Sequence, residues 1–241
     1  MNDCGRACVN LDAGPLTAYT FGVSSSIGHR AMRYTFARAA VDHRFLTAVR
    51  IDAPQPLSRT VVAIWEDLTR PGGCRIHTFI PTMRAPKDID RPQMFDCLPL
   101  TDISYLDLMR TICPSLIPKA CVEVASDEST RATSLGASTE LTYRAADVTV
   151  TEFLVDDQST PVARLVHRND VLERTWRVLE FGSEADHGMP VRLRVDRADV
   201  KKPTVFERVT PVIALTRHPG VEDAVPLLNE AHRQLFGTGS V

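Results

Sequence analysis

The sequence predicts a mainly β fold, an antiparallel sheet or barrel of about ten strands with few helices. Two observations carry that expectation. From Leu16 onward apolar residues recur with period two far more than with period 3.6, the mark of strands buried on one face. The runs are joined by short turn signals, whereas a return to a parallel neighbour takes about a dozen or more residues, usually helical.

Along the chain, the first strands fall near Leu16 to Val23 and His29 to Arg38. Phe45 to Ile51, Val61 to Leu68, Cys74 to Ile80 and Val122 to Ala125 follow, then Val148 to Val155, Val162 to His167, Trp176 to Phe181 and Val205 to Leu215. The clearest run is Val191-Arg192-Leu193-Arg194-Val195-Asp196, in which the three apolar side chains face one way and the three charged ones the other. Between runs stand Asp52-Ala53-Pro54-Gln55-Pro56, Arg70-Pro71-Gly72-Gly73, Asp156-Asp157-Gln158-Ser159, Arg168-Asn169-Asp170 and Glu184-Ala185-Asp186-His187-Gly188, all built from turn-forming residues.

Two helices are expected. Asp102 to Arg110 has apolar residues at helical spacing, Thr101 placed to cap it, Asp102 in its first turn, and Pro114 and Pro118 to stop it. Val221 to Phe236 has Asp223 near its start and Gly237 after it, with Pro226 confined to the first turn, and would pack Val225, Leu228, Ala231 and Leu235 on an apolar surface. Pro81 to Pro99 carries four prolines and reads as an excursion over the surface or over a cavity mouth, as lids do. Residues 1–15 are expected to be a flexible tail and 16–241 a single domain closing with the C-terminal helix.

Composition excludes several functions. With 28 Lys+Arg against 30 Asp+Glu, a net charge of -2 and no block of one sign, the electrostatic footprint of a nucleic-acid binder is missing. No stretch approaches the roughly 18 consecutive apolar residues of a membrane-spanning helix. The first residues, Met1-Asn2-Asp3-Cys4-Gly5-Arg6-Ala7-Cys8, show no basic segment followed by an apolar one, so a cytoplasmic location is expected. In that compartment Cys4, Cys8, Cys74, Cys97, Cys113 and Cys121 read as reduced thiols. No phosphate loop, dinucleotide fingerprint, nucleophile elbow or zinc-ligand spacing occurs, so neither cofactor nor metal is implied.

Several segments together resemble the outer-membrane lipoprotein-sorting (LolA-like) family. They are Asp52-Ala53-Pro54-Gln55-Pro56 before a strand, Ile76 to Arg84, Leu100 to Leu108, Met189 to Val195, and Pro203-Thr204-Val205-Phe206-Glu207. The resemblance covers roughly Leu16 to Leu215 and implies a bent, incomplete half-barrel whose concave face, covered by helices or a lid, holds acyl chains. The ligand it implies is a hydrophobic small molecule: an acyl chain, a lipid or a polyketide-like compound, stabilised mainly by apolar burial at about 25 cal/mol per Å².

Within that frame two functions compete, a carrier or sequestering protein and a cofactor-independent hydrolase, cyclase or dehydratase acting in the same cavity. A third, an interaction module using a sheet edge, stands behind them. His77, Asp96, Asp102 and Glu180 are the acid–base candidates; their convergence inside the barrel would favour the enzyme, a wholly apolar cavity the carrier. Each also has a structural reading: His77 on a wet face with Arg75 and Phe79, Asp102 at a helix start with Tyr105 one turn on, and Asp107 on another side of that helix. Trp65, Phe79, Arg84, Tyr105 and Trp176 are the ligand-binding candidates, with Arg84 suited to an acidic head group. Trp65 and Trp176 are equally suited to a core, and the neighbouring acids Glu66 and Glu180 to solvent.

Overall fold

The computed structural model describes residues 18–27, 30–41, 44–67, 74–90, 92–98, 101–112, 127–133, 136–145, 147–155, 161–183, 189–215 and 220–237. The expected tail at 1–15, the expected strand Val122 to Ala125, and Cys4, Cys8, Cys113 and Cys121 lie outside them.

Fourteen strands form one antiparallel sheet. In chain order they are β1 (Ala18–Ile27), β2 (Arg30–Val41), β3 (Arg44–Ala53), β4 (Val61–Asp67), β5 (Cys74–Phe79) and β6 (Lys87–Ile89), then β7 (Asp127–Thr133), β8 (Gly136–Ala145), β9 (Val148–Val155), β10 (Pro161–Arg168), β11 (Val171–Phe181), β12 (Pro190–Arg197), β13 (Thr204–Arg208) and β14 (Ile213–Ala214). Spatially they run β6-β5-β4-β3-β2-β1-β13-β12-β11-β10-β9-β8-β7, with β14 added beside β1. Two meanders, one from each half of the chain, are thus joined where β1 pairs with β13. Among the described residues β6 does not pair with β7, so the sheet stays open, the half-barrel architecture expected.

Three strands exceed expectation. β7 and β8 (DESTRAT and GASTELTYRA) carry few large apolar residues, and β6 is three residues long, so none shows the alternation by which strands are recognised. The β10–β11 hairpin turns at Asn169 and Asp170, which both adopt positive φ (50° and 63°), the conformation that two-residue hairpin turns demand and that Asn and Asp tolerate.

Contacts show that the sheet curls. Tyr105 hydrogen-bonds Thr78 on β5, while Asp107, two residues later, pairs with Arg164 on β10. Those strands stand second and tenth in the order, eight spacings apart, which would be about 38 Å in a flat sheet at about 4.8 Å per strand. Only a bent sheet brings both within reach of one helical turn.

Residues 92–98 and 101–108 fill the bend. A 3-10 turn (Pro92–Phe95) leads to helix α1 (Tyr105–Ile112), and Met94, Phe95, Leu98, Ile103, Leu106 and Leu108 are buried on the inner face. There they meet Tyr19, Phe21, Phe36, Val49, Ile64 and Ile76 from one half of the sheet, and Val150, Val166, Trp176, Leu193 and Phe206 from the other. The two expectations for 81–99, an excursion over the surface or over a cavity mouth, divide between its parts. Its first part is exposed and adds β6 to the edge, but from Met94 onward apolar side chains draw the segment into the core.

Helix α2 (Ala224–Phe236) covers the opposite, outer face of β1, β2 and β3. Ala18, Ala37, Ala39, Ala48 and Ala63 keep that surface low, so Leu227, Leu228 and Ala231 approach closely. Asp223 caps the helix by accepting from the Val225 amide, Pro226 sits in the first turn, and Gly237 ends it at φ 76°. Val225, expected against the core, is instead 55% exposed; Ala224 and Leu227 take the buried positions.

Candidate functional site

The inner face and the segment that covers it form the site, and they are built on ladder registers. Glu152 on β9, Arg164 on β10, Trp176 on β11, Val195 on β12 and Thr204 on β13 are successive cross-strand partners. Val150, Val166, Arg174 and Arg197 make the adjacent row. Two aspartates of the covering segment each straddle these rows. Asp102 bonds Thr204 of the first row and lies 3.3 Å from Arg197 of the second. Asp107 pairs with Arg164 of the first and lies 3.6 Å from Arg174 of the second.

Local chemistry poises Asp107 for this. Ser104, not Thr101, caps α1: its hydroxyl accepts from the Asp107 amide (3.1 Å), and the Asp107 carboxylate accepts from the Ser104 amide (2.9 Å) and hydroxyl (2.8 Å). Thr101 instead ties the preceding loop, donating to the Leu98 and Ile103 carbonyls. Asp107, Glu152, Arg164 and Arg174 have fully buried side chains, and two carboxylates balance two guanidiniums. Arg164 also bonds Glu152 (2.8 Å) and lies over the Trp176 ring, while Arg174 reaches the Phe95 carbonyl (3.2 Å) and the Cys97 sulfur (3.1 Å). Burial alone would raise the Asp107 pKa. The Arg174 and Arg164 charges and the Ser104 hydrogen bonds outweigh it and hold the carboxyl below its ordinary value. Burial pushes the Cys97 thiol up to about 11, against the opposing pull of Arg174, so it stays protonated.

A second ion pair, Arg38 with Glu66 (3.3 Å), lies on the inner face of β2 and β4, with Thr47 accepting from the same guanidinium. Glu66, expected in solvent beside Trp65, is 2% exposed. Its position follows from pleating: Val62, Ile64 and Glu66 face inward, which turns Trp65 outward.

The structure does not bring the four acid–base candidates together. His77 is on the outer face of β5, 2.7 Å from Asp88 and edge-on to Trp65. Asp96 is exposed and paired with Arg168 (2.9 Å), Glu180 is exposed on β11, and only Asp102 is buried on the inner face. Of the ligand-binding candidates, Tyr105 and Trp176 line the inner face. Trp65 is half-buried outside, donating to the Val221 carbonyl (3.0 Å) under Arg75; Phe79 and Arg84 are exposed. The functional residues that sequence reasoning missed are Arg164, Arg174, Glu152 and Arg38. Their only sequence signal is a charge at an inward position of an otherwise apolar alternation.

Among the described residues, Ile103 of the covering segment borders a void of about 20 Å³ on the inner face, lined also by Phe21, Val23, Phe36, Leu193 and Phe206. No group of three or more metal-ligating side chains comes together among the described residues.

Solved structures share this fold, among them the following three. A DUF1329 family protein from Desulfovibrio piger is 12% identical with a TM-score of 0.63, covering 87% of this chain and 89% of its own. A putative outer membrane lipoprotein-sorting protein domain from Vibrio parahaemolyticus is 11% identical with a TM-score of 0.66, covering 90% and 91%. A LolA superfamily protein from Nitrosomonas europaea is 16% identical with a TM-score of 0.55, covering 90% and 94%. No family model and no curated protein matches the chain. The cytoplasmic expectation is corrected by these neighbours, because a fold shared with an outer membrane lipoprotein-sorting domain conflicts with it. No helix among the described residues is long and apolar enough to cross a membrane.

Proposed function

We propose that the protein is a carrier, working at the cell envelope, that holds an acyl chain of a lipid or lipid-modified partner on the inner face of its curved sheet. The supporting observation is the make-up of the cover. Met94, Phe95, Leu98, Ile103, Leu106 and Leu108 present an apolar strip to a face lined from both halves of the sheet, the same surface an acyl chain would present. Where Ile103 meets the inner face the void of about 20 Å³ is too small for an acyl chain, so the cover must move aside for a chain to lie at that point. Its polar attachments fall mostly on the β9–β13 half of the sheet, through Asp96, the Phe95 carbonyl, Asp102 and Asp107, and Asp107 is the fully buried one. Apolar burial of the ligand, at about 25 cal/mol per Å², replaces that of the cover, and the exchange can stay near balance in both directions, as a carrier requires. The fold it shares with a lipoprotein-sorting domain supports the same reading.

The test is organic extraction of the purified protein followed by mass spectrometry, together with uptake of a fluorescent fatty acid. The expected result is an acyl-bearing species recovered unchanged, and faster probe uptake in Asp107→Asn, which loosens one attachment. Absence of both bound acyl species and probe uptake would overturn the proposal, as would a chemically altered probe.

A further inference from the structure

A cleft of about 540 Å³ opens away from the covered inner face, at the end of β1, β2 and β3 where the last turn of α2 passes. Its wall exists because β13 and β14 are separate. Between them Val209 and Thr210 fold against β1, where the Gly22 amide donates to the Thr210 hydroxyl (2.8 Å), and a Cβ on Gly22 would lie 3.3 Å from the Thr210 methyl. The floor is cationic. Arg33, Arg50 and Arg59 line it against a single carboxylate, Asp52, although the chain as a whole carries a charge of -2. Asp52 is engaged already, accepting from Arg50 Nε (2.7 Å) and the Thr35 hydroxyl (2.6 Å). Arg33 and Arg59 are exposed and form no ion pair among the described residues. Burial and the Arg50 charge hold His232 below its ordinary pKa, which leaves it neutral at neutral pH and available as an acceptor or donor.

Two further features mark the cleft. Arg59 adopts φ 69°, a conformation that glycine takes without cost and arginine does not, and its amide is bonded to the Ile51 carbonyl (2.9 Å). The rim is apolar, with Val209 and Phe236 each more than half exposed. Guanidiniums match carboxylate and phosphate oxygens in planar pairs, and the volume falls within the roughly 300–1,000 Å³ of small-molecule sites, more room than a bare anion fills.

We propose that this cleft is a second binding site, taking an anionic amphiphile whose phosphate or carboxylate is held by Arg33, Arg50 and Arg59 and whose apolar part lies along Val209 and Phe236. Val23, Tyr34 and Ile51 of the inner core border it, but its arginines stand apart from Asp102 and Asp107, and the proposal stands whether or not the inner face carries acyl chains.

Calorimetric titration of the full chain with octyl phosphate, 1-octanol and inorganic phosphate tests it. Octyl phosphate is expected to bind more tightly than either of the others. Arg59→Gly is expected to weaken that binding roughly tenfold, the size of one charge-assisted pair, while leaving the melting temperature unchanged or higher because glycine suits φ 69°. Arg33→Ala should weaken it similarly. Phe236→Ala should weaken octyl phosphate but not inorganic phosphate. Equal affinity for 1-octanol or for inorganic phosphate would overturn the proposal, as would unchanged affinity in both arginine variants. Fatty-acid uptake through the inner face should persist in Arg59→Gly, so the carrier reading and this one fail separately.

Discussion

The two halves of the sheet solve the same packing problem by different means. β1 to β4 are dry on both faces: the inner face meets residues 92–108 and the outer face meets α2, and most of β3 is buried. β9 to β12 are dry on one. Along β11 only Arg174 and Trp176 are buried, and Leu179 and Phe181 are left 45% and 40% exposed. The first half is held by apolar area on both faces around one buried pair, Arg38 with Glu66, the second by a four-charge network that also fastens the cover. Apolar contacts tolerate sliding, whereas a buried carboxylate between two guanidiniums does not, so the ionic half sets where residues 101–108 sit.

The largest test of that asymmetry is Asp107→Ala. Leaving Arg164 and Arg174 buried without their shared carboxylate should cost about 3–5 kcal/mol in chemical denaturation. Hydrogen exchange should rise first in 92–112 and β9–β11, and an equal rise across β1–β4 would contradict the asymmetry. Acid acts on the same group. Because the folded pKa of Asp107 is depressed, its contribution is full above the unfolded value of about 3.9 and is lost as pH falls through the lower folded value. Near-ultraviolet dichroism of Trp176 during acid titration should therefore hold down to about pH 3.9 and change only below it.

Leu227→Ala breaks the other half. Emptying a fully buried site under α2 should cost about 2–5 kcal/mol, with exchange rising in β1–β3 and not in β9–β11. Ala48→Leu sharpens the comparison from the opposite direction, since overfilling the alanine surface should cost about 1–3 kcal/mol and lift α2. The smallest effect is expected at an exposed apolar side chain of β11. Leu179→Ser should change stability by no more than about 0.5 kcal/mol, and a larger loss would show that something covers that surface.

Legibility followed the same division. β5 and β12 were readable because their side chains alternate in type, β3 and β4 because they are short apolar, β-branched runs bounded by turn residues, and α2 because Asp223 and Gly237 mark its ends. The network was not. Arg164 and Arg174 sit in strands where a charged residue ordinarily indicates solvent, and only the position of a helix 57 residues earlier in the chain makes them interior. The cap of α1 shows the limit at short range: Thr101 and Ser104 are both competent, and the choice fell to Ser104 because Asp107 completes the reciprocal pair. Among the site candidates, Tyr105 and Trp176 reach the inner face, while His77 and Trp65 share the other side, because pleating assigns alternate residues to opposite faces without saying which is inside.

Periodicity, turn residues and caps act over a few residues, so the sequence by itself determined that this chain makes an antiparallel sheet with a capped C-terminal helix. The choice of inner face, the burial of Asp107 among arginines, and the cleft between β1 and the end of α2 belong to the tertiary structure alone. Each depends on groups far apart in the chain being brought together, and on desolvation that no single segment undergoes by itself.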